Sequence, residues 1–287
     1  RDDAQLVTHD ETVPGGDGMF SLHGHVAVVV GASGAIGRAF ASALGAVGAA
    51  VALIGRREQP LREAADALVA IGVDAAPFPA DMLDVVALSD ARNAVTARWG
   101  SIDLLLNAAG GNVPNATLAD GGSPFDLELE PYRQVQELNL IGPLAAIKVF
   151  GPALAASKAD DRAIVNVSSM AALRAMTRVG GYGAAKAALE NVTRWLAVEL
   201  ARGGTRIRVN AIAPGFFVGE QNRSLLLGAD GSLTARGRRI VDSTPLGRFG
   251  EPSELASTAV WLCSPASRFV TGIVVPVDGG FSAFSGV

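Results

Sequence analysis

Between residues 26 and 277, apolar runs of strand length alternate with longer amphipathic stretches, and no other feature of the chain restricts its fold so much. A short run that is apolar at every position reads as a strand buried on both faces of a parallel sheet. The longer stretch after it then supplies the helical crossover that parallel pairing requires. Strands are expected at 26–30, 50–54, 75–78, 102–106, 163–167, 207–212 and 272–277, with helices at 36–47, 61–71, 85–98, 132–156, 182–202 and 252–262. This pattern predicts an α/β architecture: a single Rossmann-type doubly wound domain, whose seven-stranded parallel sheet has helices on both faces. Ligands in such sheets sit beyond the carboxyl ends of the strands. One segment interrupts the alternation. Residues 216–250 are rich in glycine and arginine and follow the sixth strand with none of their own, which marks them as a substrate lid. Residues 1–18 are polar, end in Pro14-Gly15-Gly16-Asp17-Gly18, and read as a flexible tail ahead of one domain over 19–287.

Composition removes several classes of function. A formal charge of -4 with no long basic run argues against a nucleic-acid surface, which needs clustered Lys and Arg. No stretch approaches the roughly 20 uninterrupted apolar residues of a membrane span, so no membrane partner is expected. The single cysteine, Cys263, excludes an internal disulfide and fits a reducing, cytoplasmic setting. All three histidines, His9, His23 and His25, precede the first strand, where they serve neither a Ser-His-Asp triad nor a metal centre. No metal is expected. A small-molecule substrate remains.

Tyr182 and Lys186 then stand out. The chain holds two tyrosines and three lysines, so chance gives a Tyr-x3-Lys pair only about 0.02 times in a sequence of this length. Spacing i, i+4 puts the two side chains on one helix face. A phenol is a poor base near neutral pH because its pKa is about 10, and an ammonium one turn away stabilises the phenolate. Ser169 lies thirteen residues before the tyrosine.

A glycine-rich turn, Gly31-Ala32-Ser33-Gly34-Ala35-Ile36-Gly37, joins the first strand to the first helix. Such a turn lets the backbone approach a pyrophosphate and meet its charge with amides at the helix N-terminus, although the spacing is not the usual G-x-G-x-x-G. Asp81, followed by Met82, closes the third strand, where a carboxylate accepts from an adenine amino group. Asn107-Ala108-Ala109-Gly110 closes the fourth, where small residues leave room for a cofactor. The second strand ends in Gly55-Arg56-Arg57 with no acid before Glu58. An acid there would bind the ribose hydroxyls of NAD, whereas arginine pairs with an added phosphate, so NADP is expected over NAD.

From residue 20 onward, these features resemble the short-chain dehydrogenase/reductase family. They occur in the family's order: the glycine turn, Asp81, Asn107-Ala108-Ala109-Gly110, Asn139, Ser169, Tyr182-x3-Lys186, Pro214-Gly215 and Val277-Asp278-Gly279-Gly280. Val30, Ala35 and Leu106 depart from the common pattern. The resemblance implies a dinucleotide-binding catalytic domain with a tetrad. Tyr182 exchanges the substrate hydroxyl proton, while Lys186 lowers its pKa and holds the nicotinamide ribose. Ser169 hydrogen-bonds the substrate oxygen, and Asn139 holds a water that links Lys186 to solvent. It further implies cofactor contacts from Gly31, Ser33, Gly34, Ala35, Ile36, Gly37, Arg56, Arg57, Asp81, Met82, Asn107, Ala108, Ala109, Gly110, Pro214, Gly215 and Phe217, and a homodimer or homotetramer.

Within the family, the carboxyl-terminal half resembles the D-mannonate oxidoreductase (fructuronate reductase) branch, through Ala213-Pro214-Gly215-Phe216-Phe217, Glu220-Gln221-Asn222-Arg223 and the closing residues 278–287. A sugar acid presents a carboxylate for arginine and hydroxyls for amide side chains. Candidate substrate residues are Asn112, Arg174, Gln221, Asn222 and Arg223, with Arg248 a competitor. Two rivals stand beside this reading: another polyol or keto-acid reductase of the gluconate 5-dehydrogenase kind, and a cofactor-binding sensor without chemistry. A sensor would be expected to lose the tyrosine or the lysine.

Overall fold

The computed structural model describes residues 16–219 and 222–286. A helical turn, α1 (Gly16–Met19), precedes β1 (Val26–Val30), so the expected tail already carries structure at its end; residues 1–15 lie outside the described residues. The first half continues as α2 (Ala35–Ala46), β2 (Ala50–Gly55), α3 (Glu58–Ala70), β3 (Ala75–Pro79), α4 (Val85–Trp99) and β4 (Leu104–Asn107). Next come α5 (Leu129–Gln136), a π-helical turn (Glu137–Ile141), α6 (Gly142–Ala156), β5 (Arg162–Val167), α7 (Met170–Leu173), α8 (Gly180–Arg202) and β6 (Ile207–Pro214). The chain closes with α9 (Arg223–Leu226), α10 (Ala235–Asp242), α11 (Pro252–Cys263) and β7 (Val274–Val277).

All seven strands pair in parallel, in the order β3-β2-β1-β4-β5-β6-β7. Strand order reverses between β1 and β4, and a crevice opens beyond their carboxyl ends. Every residue of β1 and of β6 is buried, as two covered faces require. Successive side chains of β1 alternate between two cores. Ala27 and Val29 pack with Phe40, Leu61 and Leu255 from α2, α3 and α11; Val28 and Val30 pack with Leu88, Phe150 and Leu196 from α4, α6 and α8. Helix α4 starts on Asp84, whose Oδ1 accepts from Val86 N and Ala87 N, and ends at Gly100, whose φ of 83° suits glycine.

One expectation needs correction, and two segments carry structure beyond it. The single helix expected over 132–156 is two helices joined by a π turn. Pro143 has no N–H to give the Asn139 carbonyl four residues back, so the α-helical ladder breaks there. An 18-residue window of this run has mean hydropathy 1.5, enough by length and composition to cross a membrane, yet 44% of it is buried inside the fold, where α6 packs on α4 and the sheet. Finally, residues 216–250 contain α9 and α10. Helix α10 buries only Gly237 and Ile240 among eight residues, so it shows almost no apolar stripe. A Cβ at Gly237 would lie 2.2 Å from Leu226 O, and glycine there lets α10 sit against the end of α9.

The carboxyl-terminal segment folds back on its own chain. Asp278 accepts from Gly280 N and Ser282 N, Phe281 meets Phe216 edge-on at 5.3 Å, and Arg174 donates two hydrogen bonds to Ser282 O.

Candidate active site

The first strand turns into α2 through backbone approaches that admit no side chain. Gly31 has φ of 88°, and a Cβ there would lie 2.5 Å from Ala109 N; at Gly37 it would lie 2.3 Å from Gly31 O. Gly31 thus sets the turn against the end of β4, and Gly37 sets α2 against the turn. The α2 N-cap, Gly34, has no side chain to satisfy the first-turn amides, and Gly34, Ala35, Ile36 and Gly37 all face a cleft of about 280 Å³. An uncapped helix N-terminus in a glycine cradle fits a pyrophosphate. Ala108, Ala109, Gly110, Pro214, Gly215, Phe217 and Arg57 line the same cleft.

Other expected cofactor residues stand farther from it. Ser33 is buried behind the turn beside Gly55. Asn107 sits under the floor, where its Nδ2 donates to Asn166 Oδ1, and Asn166 Nδ2 donates to Thr193 Oγ1. Its own Oδ1 is buried without a partner. Asp81 accepts from Leu83 N and lies 3.8 Å from Arg56, an exposed pair at the rim. Met82 is a correction: its side chain is buried against Gly142, where a Cβ would lie 2.7 Å from the methionine methyl, and it does not line the cleft.

Ser169, Tyr182 and Lys186 converge at the other end of the cleft. Ser169 caps α7, accepting from Ala171 N, so the end of β5 fixes its hydroxyl. Tyr182 enters from the first turn of α8, its ring half-buried. Burial pushes the phenol above its ordinary pKa, and a hydrogen bond with Ser169 pulls the other way. Lys186, one turn further on, is 2% exposed, donates to Val167 O at 2.7 Å, and has its Nζ 5.8 Å from the Tyr182 ring centroid. Burial brings its pKa down to about 8. The net direction for the tyrosine is therefore upward here, because desolvation of the phenolate outweighs the hydrogen bond with Ser169.

Asn139 is fully buried, and its amide is spent on backbone: Oδ1 accepts from Gly111 N, while Nδ2 donates to Gly111 O and Val135 O. These bonds hold the Gly110-Gly111 corner, where a Cβ on Gly110 would come 2.8 Å from Asn139 Oδ1 and 3.1 Å from Lys186 Nζ. With both Nδ2 protons engaged, the side-chain amide anchors that corner.

The substrate candidates disperse. Asn222 lines the cleft, but its amide is tied to Phe217 O and Gly219 N. Asn112 donates to Thr117 Oγ1 and is exposed. Arg223 points into solvent, and Arg248 pairs with Glu254. Arg174 donates to Ser282 O and does not line the cleft. Gln221 lies outside the described residues. Lining residues that the sequence did not single out are Val167, Ser168, Val218, Gly219 and Pro252, of which only Ser168 carries a polar side chain. Among the described residues, no group of three His, Cys, Asp or Glu side chains is placed to hold a metal.

Comparison with known proteins follows the same outline. The family model described as enoyl-(acyl carrier protein) reductase matches residues 31–282. The uncharacterized oxidoreductase UxuB of Bacillus subtilis (strain 168) is 42% identical over 276 residues, covering 93% of this chain and 98% of that protein. Galactitol 2-dehydrogenase (L-tagatose-forming) of Cereibacter sphaeroides is 36% identical over 268 residues, covering 93% and 98%. A crystal structure from Haemophilus influenza, provisionally described as a D-mannonate oxidoreductase and holding NAD, is 36% identical with a TM-score of 0.86, covering 93% of this chain and 98% of that one.

Proposed function

The chain belongs to the short-chain dehydrogenase/reductase family and is a nicotinamide-dependent oxidoreductase; on that premise, we propose that it interconverts a sugar-acid ketone and its alcohol, fructuronate and mannonate being the pair of choice. The observation that carries the catalytic part is the convergence of Ser169, Tyr182 and Lys186 on the cleft that holds the glycine cradle. The nicotinamide supplies or takes the hydride. In reduction, the Tyr182 hydroxyl gives its proton to the forming alkoxide, and Ser169 adds a second donor to the same oxygen. In oxidation the transfer reverses. Lys186, anchored on Val167 O, fixes the tyrosine side of the site, and Asn139 fixes the facing corner. Residues 216–250 act as the lid, since Phe216, Phe217, Val218 and Gly219 form one wall.

The acid substrate is supported by the carboxyl-terminal motifs and by the Haemophilus influenza structure. A second reading, a neutral polyol, is favoured by the lining itself: apart from Arg57 at the cofactor end and the buried Lys186, no charged side chain lines the cleft among the described residues. The galactitol enzyme supports that reading. Arg56 and Arg57 favour NADP over NAD. A homodimer or homotetramer and a cytoplasmic location complete the proposal.

Stopped-flow absorbance of the reduced nicotinamide tests the function. Fructuronate reduced much faster than tagatose supports the acid, and the reverse order supports the polyol. Tight cofactor binding without turnover of any carbonyl would replace both with the sensor.

A further inference from the structure

Four consecutive residues at the end of β5 meet four residues on one face of α8. Asn166 Nδ2 donates to Thr193 Oγ1 at 2.9 Å, Val167 O accepts from Lys186 Nζ at 2.7 Å, and Ser168 Oγ donates to Glu190 Oε1 at 2.8 Å. Ser169 completes the row through its hydrogen bond with Tyr182. Positions 182, 186, 190 and 193 recur at helical spacing, so the contacts form one seam. Ser168 and Glu190 form a side-chain contact within that seam and have no part in the tetrad themselves.

Glu190 is 4% exposed and Ser168 is 1% exposed. The second carboxylate oxygen lies 3.3 Å from Arg194 Nη2, on a side chain that is half in solvent. An apolar residue would fill this position without the desolvation of a carboxylate, so packing alone does not favour glutamate. What the carboxylate adds is a directed grip on Ser168, the residue between the carbonyl that holds Lys186 and the hydroxyl that meets Tyr182. The Ser168 backbone is also fixed, its N–H donating to Ile212 O at 2.7 Å.

We propose that Glu190 is a positioning residue for the active site: by binding the Ser168 hydroxyl, it sets how the end of β5 presents Val167 O to Lys186 and the Ser169 hydroxyl to the substrate oxygen. It touches neither substrate nor cofactor. Its removal loosens the spacing between Ser169, Tyr182 and Lys186 and leaves the glycine cradle intact. The proposal rests on the catalytic reading of those three residues.

Steady-state kinetics of Glu190→Ala, Glu190→Gln, Ser168→Ala and the Ser168→Ala/Glu190→Ala double variant test it, on whichever carbonyl the wild type turns over. A small displacement of reacting groups costs up to about 100-fold, so Glu190→Ala is expected to lower kcat by roughly 10- to 100-fold while the cofactor KM stays within about 3-fold. Ser168→Ala should lose a similar factor, and the double variant should lose no more than either single one, because both changes break one contact. Glu190→Gln keeps an oxygen acceptor for the serine and should recover kcat to within about 3-fold of wild type. Wild-type kcat in Glu190→Ala or Ser168→Ala, additive losses, or a loss that follows the melting temperature and is not recovered by glutamine would overturn the proposal. If Glu190→Ala does not fold, Ser168→Ala and Glu190→Gln decide alone. Tyr182→Phe, assayed in parallel, separates the two levels. An active Tyr182→Phe removes the catalytic reading, whereas an inactive one beside a fully active Glu190→Ala removes only the role of Glu190.

Discussion

Replacing Lys186 by methionine should leave the fold no less stable at pH 7 and make it less stable at pH 10. The lysine is 2% exposed, and burial lowers its pKa from 10.5 to about 8. In the unfolded chain it regains its ordinary value, so between pH 8 and 10.5 the unfolded state binds the extra proton. Stability from this group is therefore full above 10.5 and is lost as the pH falls through 8. The difference between the two pKa values corresponds to about 3 kcal/mol, nearly all of it unfavourable at pH 7, and moving to pH 10 restores most of it. Methionine has similar length and no charge, so it removes that cost. It also abandons Val167 O, and a buried carbonyl without a donor costs about 1–3 kcal/mol. The variant should thus be about 0–2 kcal/mol more stable than wild type at pH 7 and the less stable of the two at pH 10, with turnover abolished at both. Denaturant unfolding of both proteins at the two pH values measures this, and Tyr182, present in both, drops out of the comparison. A wild-type advantage that does not change between pH 7 and pH 10 would show that Lys186 is not held desolvated, and the argument would fail.

Tyr182→Phe should abolish turnover and leave the cofactor dissociation constant nearly unchanged, because it removes one oxygen; cofactor titration beside an activity assay checks both. Gly37→Ala should destabilise the protein by about 1–3 kcal/mol, seen as a fall in melting temperature, because the new methyl meets backbone that cannot move aside. If Arg56 and Arg57 select the phosphate of NADP, their replacement by alanine should raise the KM for NADPH far more than that for NADH, and equal changes would contradict the preference. Since the Tyr182 pKa is raised, kcat/KM for alcohol oxidation should increase with pH from 7 to 10, while carbonyl reduction should hold near neutrality and decline in alkali; a flat oxidation profile would argue against the phenol as base.

The sheet was legible because seven apolar runs, the central ones buried on both faces, leave little else for the chain to build. Their expected limits match the observed strands to within two residues. The site was legible where side chains are chemically distinctive and ordered by one helix, as with Tyr182 and Lys186. Elsewhere periodicity failed for physical reasons. Helix α10 buries too little to show a stripe, and the π turn at Asn139 follows from one missing N–H at Pro143. Hydrogen bonds across the sheet were beyond the sequence altogether. Nothing local says that Asn139 would bind Gly111, that Glu190 would bind Ser168, or that Arg174 would be held by Ser282 at the far end of the chain. These contacts depend on strand order, which sets neighbours that the sequence separates by 22 to 108 residues.

The same contacts reorder the proton chemistry. Free in water, a tyrosine and a lysine titrate within about half a pH unit of each other, the phenol first. In the cleft, burial raises the tyrosine and lowers the lysine, which opens a gap with the opposite order. At neutral pH the tyrosine then keeps its proton, while the lysine, with a pKa of about 8, is still mostly an ammonium. A neutral phenol beside the Ser169 hydroxyl is the form that can donate to a nascent alkoxide, so the resting site is set to reduce a carbonyl at neutral pH. Oxidation requires the phenolate, which the site must make against its own desolvation. The balance between directions therefore rests on how deeply Lys186 and the Tyr182 hydroxyl are buried, and a substitution that admits water beside them should shift it toward oxidation.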